Sequence, residues 1–297
     1  MVTEVIAALV IDSDGWYADG TLGGGGHTRS ILEAVGPAGH VFGVDRDPSA
    51  LTEATRNLAD KMTQIELALG NFRDLPELLP PELHGHLSGI LLDLGLRSTA
   101  LDEPDRGFSF QADGPLDMRF NPLRGESAAD LLRRIKEADL ANLLAEGQSR
   151  SDPRKMARDI VRWRREKPLR TTGDLVACLK SSLGRWANPK LLSAVFSAIR
   201  MRVNKELDDL EQSMDRLPGL LRLGGILCVL SYQSLEDRRV KSLRRTPLRD
   251  PVSGESFLME PLTKKPIFPT PEEARINRRA RSARLRAFRR VRSTKAT

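Results

Sequence analysis

Cysteine is almost missing from this chain: 2 residues in 297, Cys178 and Cys228, each within an apolar run. Two thiols can frame neither a disulfide scaffold nor a cysteine-rich zinc site, and they suit a reducing cytoplasm as buried structural side chains. Aromatic residues reach only 5% and histidine only 4 positions. Stacking platforms are therefore few, and with no Cys/His cluster no metal is expected. No apolar run approaches the ~20 residues that a membrane span needs. The N-terminus has no basic segment followed by a long apolar stretch, so no secretory signal is expected either. What is left is a soluble globular composition, 40% hydrophobic and 29% charged, long enough for one large or two modest domains.

Charge is unevenly placed. The net charge is +7, and 10 Lys or Arg with no acid lie between Arg275 and Lys295. Without that tail the remainder is slightly acidic. A second basic cluster runs from Arg150 to Arg170. Clustered cations suit a polyanionic partner.

Glycine is concentrated where it matters. Trp16 to Ala18 reads as the end of a strand. Asp19 to His27 (DGTLGGGGH) is a turn with few side chains, Thr28 to Val35 has helical apolar spacing, and His40 to Val44 reads as a second strand with Asp45 at its end. A glycine turn lets backbone approach a ligand, and an acid about 20 residues on can accept hydrogen bonds from ribose hydroxyls. Asp47-Pro48 reads as a helix N-cap followed by proline in the first turn.

Further strands are expected at Gln64 to Leu69, Ser88 to Asp93 and Leu223 to Ser231, with a helix from about Lys205 to Leu221. Strands alternating with helices imply an α/β fold with a doubly wound parallel sheet, which binds ligands beyond its carboxyl edge. The glycine turn, Asp45, Phe72 and Asp93 all fall there. The hundred or so residues before Leu223 are too many for one crossover, and Ala128 to Trp186 is helical and Arg-rich, so an inserted helical domain is expected. Pro247 to Thr270 reads as irregular. The tail around Ala283 to Arg289 is ambiguous, readable as a last edge strand with a basic outer face or as a loose charged tail.

Several strings occur in order: DGTLGGGGH (Asp19–His27), VDRDP (Val44–Pro48), LLDLG (Leu91–Gly95), LDEPDRGFSF (Leu101–Phe110), DGPLDMR (Asp113–Arg119), VNKELDDLE (Val203–Glu211), SLEDRRVK (Ser234–Lys241) and NRRARSARLR (Asn277–Arg286). Together they resemble the bacterial ribosomal small-subunit (16S) RNA (cytosine-N4) methyltransferase family, which uses S-adenosylmethionine. The resemblance implies a class I (Rossmann-like) methyltransferase sheet formed by residues 1–100 and 200–297, with an inserted helical substrate-recognition domain at 101–199. It implies methyl transfer to a cytidine N4, with ribosomal small-subunit RNA or the assembled subunit as partner.

Cofactor positions carry over singly. Gly25, Gly26 and His27 match the end of the turn along the methionine part of the cofactor. Asp45 matches the ribose acid, Phe72 the residue beside adenine, and Asp93 the acid ending the fourth strand. Ala100 stands where the family has Gln. Asp93, in the Asp-Leu-Gly turn, is the first candidate to accept a hydrogen from the target amine, and Asp117 the second. His27 is read as supporting the turn. Phe108, Phe110 and Tyr232 are candidate stacking walls, equally readable as core, and Arg238, Arg239, Lys241 and the tail are candidate phosphate contacts.

The departures are specific. Little of the family's His-containing opening segment is present. Val-Ser-Ser is here Leu96-Arg97-Ser98, Ser-Phe-His-Ser is Ser231-Tyr232-Gln233-Ser234, and the Tyr-Gly-Glu-Glu-like stretch is replaced around Glu146 to Ser149. They keep open a non-catalytic RNA-binding or assembly protein of the same fold. The glycine turn by itself keeps open a nicotinamide-dependent oxidoreductase.

Overall fold

Five largely apolar runs become parallel strands: β1 (Trp16–Asp19), β2 (His40–Asp45), β3 (Ile65–Leu69), β4 (Leu87–Asp93) and β5 (Leu221–Ser231). A computed structural model describes residues 1–146, 152–243, 247–251 and 253–293. The replaced stretch at Gly147 to Ser149, Arg150 and the last tail cation, Lys295, lie outside the described residues. Three antiparallel strands complete the sheet: β6 (Leu248–Arg249), β7 (Ser256–Pro261) and β8 (Arg284–Arg292). The order is β3-β2-β1-β4-β5-β8-β7-β6.

Alternate residues of the inner strands supply two separate cores. Tyr17, Val41, Leu91 and Cys228 face one side, where they meet α1 (Val2–Leu9), α2 (Gly26–Ala34) and α3 (Pro48–Asn57) through Val5, Leu9, Ile31 and Ala54. Ala18, Phe42, Ile90, Leu92 and Val229 face the other, with Leu75 of α4 (Leu75–Leu78), Leu210 and Met214 of α11 (Glu206–Arg216) and Val240 of α12 (Ser234–Ser242). A sheet covered on both faces explains why its strands read as continuous apolar runs. Burial pushes the Cys178 thiol up to about 12 and raises that of Cys228 as well, so neither is a ready nucleophile. No helix among the described residues is long and apolar enough to cross a membrane.

The chain divides into two compact units, residues 1–95 with 208–297, and residues 96–207. The second unit holds α5 (Ser98–Asp102), α6 (Ala128–Arg134), α7 (Glu137–Glu146), α8 (Pro153–Glu166), α9 (Thr172–Leu183) and α10 (Pro189–Val203) around its own core, including Leu132, Leu144, Ile160, Leu175 and Phe196. Pro153 and Pro189 are first-turn residues, after the N-caps Asp152 and Asn188, so they start helices rather than break them.

Two expectations about the C-terminal part are overturned. The segment expected to be irregular contains β6 and β7. Phe257 and Met259 point inward while Ser256 and Glu260 point out, and the prolines and Gly254 lie at or beyond the strand ends. The basic tail forms β8, which is not an edge strand: it lies between β5 and β7, antiparallel to both. Inside the sheet most of this strand is buried, so part of its charge turns inward and must find acids. Arg286 and Arg290 are only 9% and 6% exposed. Arg286 Nε donates to Asp237 Oδ1 at 2.7 Å, and Arg290 pairs with Asp250. Those two cations support the fold and are removed from the expected basic outer face.

Candidate active site

The strand order reverses beside β1, whose neighbours β2 and β4 carry the chain away in opposite directions. In open α/β sheets that reversal leaves a crevice at the carboxyl edge. Three acids stand there: Asp19, Asp45 and Asp93, the last residues of β1, β2 and β4.

Asp19 is fully buried and accepts from Thr28 Oγ1 at 2.7 Å and from the Thr21 N–H at 3.1 Å. It ties the end of β1 to the first turn of α2. Burial raises its pKa, against the opposing effects of Thr28 and His27. Between them runs the glycine turn. Gly25 is the N-cap of α2 with φ +84°, and a Cβ there would come within 2.7 Å of Leu58 Cδ1. Left-handed backbone against a packed leucine requires glycine at this point. Gly26 is different, because a Cβ on it would meet nothing within 4 Å. The N-terminus of α2, whose first amides have no helical acceptor, therefore opens onto free space.

Asp45 fastens the turn from the other side. Its Oδ2 accepts the Gly23 N–H at 2.8 Å and its Oδ1 the Asp47 N–H at 2.9 Å. Asp47 caps α3, accepting the Ser49 N–H at 3.0 Å, with Pro48 in the first turn, as the Asp-Pro pair predicts. Phe72, at 6% exposure, is part of the core beneath the site.

Asp93 is tethered through both its backbone and its side chain. Its amide donates to Thr21 Oγ1 at 2.6 Å. Its Oδ1 accepts from the Tyr232 hydroxyl at 2.9 Å, and its Oδ2 lies 3.5 Å from His27 Nδ1. The side chain keeps 27% of its surface exposed. Burial among protein atoms raises its pKa, and His27 and then Tyr232 work in the other direction. His27 Nε2 is buried with no hydrogen-bond partner among the described residues. The crevice thus has a carboxylate with one open aspect, an orphaned imidazole nitrogen and unfilled room at a helix N-terminus.

Asp117, Ala100, Phe108 and Phe110 lie in the second unit. Asp117 holds Arg119 with both oxygens, at 2.9 Å to Nε and 2.6 Å to Nη2. Ala100 is buried in the apolar core of that unit and offers no side-chain hydrogen bond. Phe108 is buried and tilted against Phe120 at 5.6 Å between centroids, and Phe110 meets Phe196 edge-on at 5.5 Å. These rings are committed to packing.

Sequence reasoning missed a buried anchor. Asp209 on α11 accepts from Asn71 Nδ2 at 2.6 Å and Arg73 Nη1 at 2.8 Å, with Arg46 Nη1 at 3.4 Å. It clamps the loops that follow β2 and β3 to one helix. Thr21 was missed too, although its place two residues after Asp19 is a recurrent turn spacing that could have flagged it.

The family model described as the MraW methylase family matches residues 1–291. The chain belongs to the MraW methylase family. It is similar to three proteins named "Ribosomal RNA small subunit methyltransferase H". That of Trichlorobacter lovleyi is 40% identical over 299 residues, covering 97% of this chain and 96% of the relative. Those of Chromohalobacter salexigens and Sorangium cellulosum are each 40% identical, covering 96% and 97% of this chain and 89% of either relative. As a MraW-family methylase the protein takes its methyl group from S-adenosylmethionine. The nicotinamide reading, kept open by the glycine turn, is thereby set aside. The open α2 N-terminus and the orphaned His27 nitrogen suit such a ligand.

Proposed function

We propose that the protein methylates the exocyclic N4 of a cytidine in small-subunit ribosomal RNA. The observation that carries this reading is Asp93: a carboxylate tethered at the carboxyl end of β4, beside the glycine turn, with part of its surface open. The names of the relatives support the RNA class.

In this reading Asp45 holds the ribose of S-adenosylmethionine, Gly25, Gly26 and His27 line its methionine part, Phe72 closes the adenine side and Asp93 borders the methyl group. Ala100 supplies no polar contact. The bound donor supplies an electrophilic methyl whose bonding pair to sulfur stays on sulfur. The obstacle is the target amine, whose lone pair is delocalised into the ring. Asp93 accepts a hydrogen bond from that amine, which localises the lone pair, and takes its proton as the C–N bond forms. Asp117 is given no such part: its carboxylate is the two-point ion-pair partner of Arg119. Since Asp93 must be ionised and its pKa is raised, activity is lost as pH falls through that raised value.

A direct test incubates the protein with small ribosomal subunits and isotope-labelled S-adenosylmethionine, then identifies the modified nucleoside by mass and co-migration. N4-methylcytidine is expected. A different methylated nucleoside would refute the target, and donor binding without transfer would favour the non-catalytic assembly protein.

Gly26→Ala probes the donor site separately. The new methyl group fills open space, so the melting temperature stays level or rises, while donor affinity measured by calorimetry falls about tenfold. Equal affinity in the two proteins would place the donor elsewhere.

Affinity for RNA rests on phosphate contacts. Arg154, Arg158, Arg162 and Arg165 are exposed on one side of α8, opposite its buried Met156 and Ile160. Arg238 and Lys241 are exposed on α12, and Arg289 and Arg292 on β8. Three such contacts to single-stranded RNA give a log–log salt slope of about −2. A flat response in a filter-binding titration would contradict the phosphate reading.

A further inference from the structure

Tyr232 follows directly after β5, and three separate features fix where its hydroxyl goes. Its backbone N–H and that of Gln233 both donate to Glu236 Oε2 at 2.9 Å, which locks the entry to α12. Glu236 is itself buried. The Tyr232 ring lies against the backbone at Gly95, where an added Cβ would stand 3.3 Å from its Cδ2. The phenol then reaches Asp93 Oδ1 at 2.9 Å. Nothing in core packing requires a hydroxyl at that place. A phenylalanine would fill the same volume and leave Oδ1 without this donor.

We propose that Tyr232 is a positioning residue for the methyl transfer, its hydroxyl holding the Asp93 carboxylate in one orientation, Oδ1 bound to the phenol and Oδ2 on the His27 side. This rests on the reading that Asp93 takes the proton of the target amine. Held this way, the carboxylate keeps one direction for the incoming hydrogen, and the phenol favours its ionised form. Burial, and then Asp93 itself, raise the Tyr232 pKa, so the phenol is a donor throughout the neutral range. The other charges facing this pair come from several elements. His27 on α2 and the Met1 ammonium ahead of α1 favour the ionised Asp93, whereas Asp19 at the end of β1 repels it. Glu236 on α12 and Glu273 near the C-terminal tail act on the phenol, and Glu273 also pairs with the Met1 ammonium.

Tyr232→Phe tests the assignment with two readouts. Removing the phenol takes away a bond to the charged form, so the Asp93 pKa rises further. The acid limb of the kcat–pH profile then moves to higher pH. Near that limb kcat falls roughly three- to tenfold, a smaller deficit persists on the alkaline plateau because the ionised carboxylate is no longer held in one orientation, and KM for donor and RNA stays level. Independently of turnover, the ¹³C carboxyl resonance of Asp93, assigned with Asp93→Asn, titrates at higher pH in Tyr232→Phe than in the parent. Superimposable titrations and kcat profiles would overturn the proposal. A raised KM with unchanged kcat would also overturn it, because Tyr232 would then serve binding alone. If the resonance shifts but no methylcytidine forms in the parent protein, the coupling of Tyr232 to Asp93 stands and the proposed reaction fails.

Discussion

Replacing Asp93 by Asn is expected to lower single-turnover methyl transfer by roughly 10²–10⁴-fold at saturating donor, the range a positioned general base contributes. The substitution is nearly isosteric. The backbone bond to Thr21 is untouched, and the Asn oxygen can still accept from Tyr232. What is lost is the negative charge that draws the amine hydrogen and the site that receives its proton. The melting temperature should change little, since burial already works against the charged form of this residue. Wild-type rates in Asp93→Asn would remove Asp93 from the reaction. A loss that disappears at higher donor concentration would show that Asp93 binds the donor and does no more.

Asp45→Ala is expected to weaken donor binding by about 10- to 100-fold in calorimetry, the equivalent of one or two charge-assisted hydrogen bonds. The Asp45 carboxylate does two things at once in the proposed site. It braces the turn through the amides of Gly23 and Asp47, and it offers charge to the ribose. Alanine removes both, whereas Asp45→Asn keeps acceptor capacity for the brace and loses charge, so it should fall between. Amide exchange at Gly23 separates the two effects. If it is fast in Asp45→Ala and slow in Asp45→Asn while both bind the donor weakly, the charge itself matters. Unchanged affinity in both variants would exclude Asp45 from the ribose.

What the sequence disclosed and what it hid follow from how far each feature reaches along the chain. The parallel strands were legible because burial on both faces writes short apolar runs, as in Ile90 to Leu92. The turn at Gly23 to Gly26 was legible as a glycine run: left-handed backbone calls for glycine at Gly23 and Gly25, whereas Gly26 leaves open space. Strand β7 was missed because Pro251, Gly254, Pro261 and Pro266 crowd its borders, and its inward alternation has only two terms, Phe257 and Met259. The tail was misread as outward-facing because the acids that receive Arg286 and Arg290, Asp237 and Asp250, are 49 and 40 residues away. The Asp209 clamp spans 136 to 163 residues to its partners and leaves no local pattern. Tyr232 could be noticed as an aromatic, but its bond to Asp93 arises only once β4 and β5 lie side by side.

The measurement that bears most directly on this account is a crystal structure of the protein with S-adenosylmethionine bound. The expected density places the ribose hydroxyls on the Asp45 carboxylate, the methionine part along Gly25 to His27, and the sulfonium methyl facing Asp93. Density that lodges away from the carboxyl ends of β1, β2 and β4, or no density at saturating donor, would contradict it.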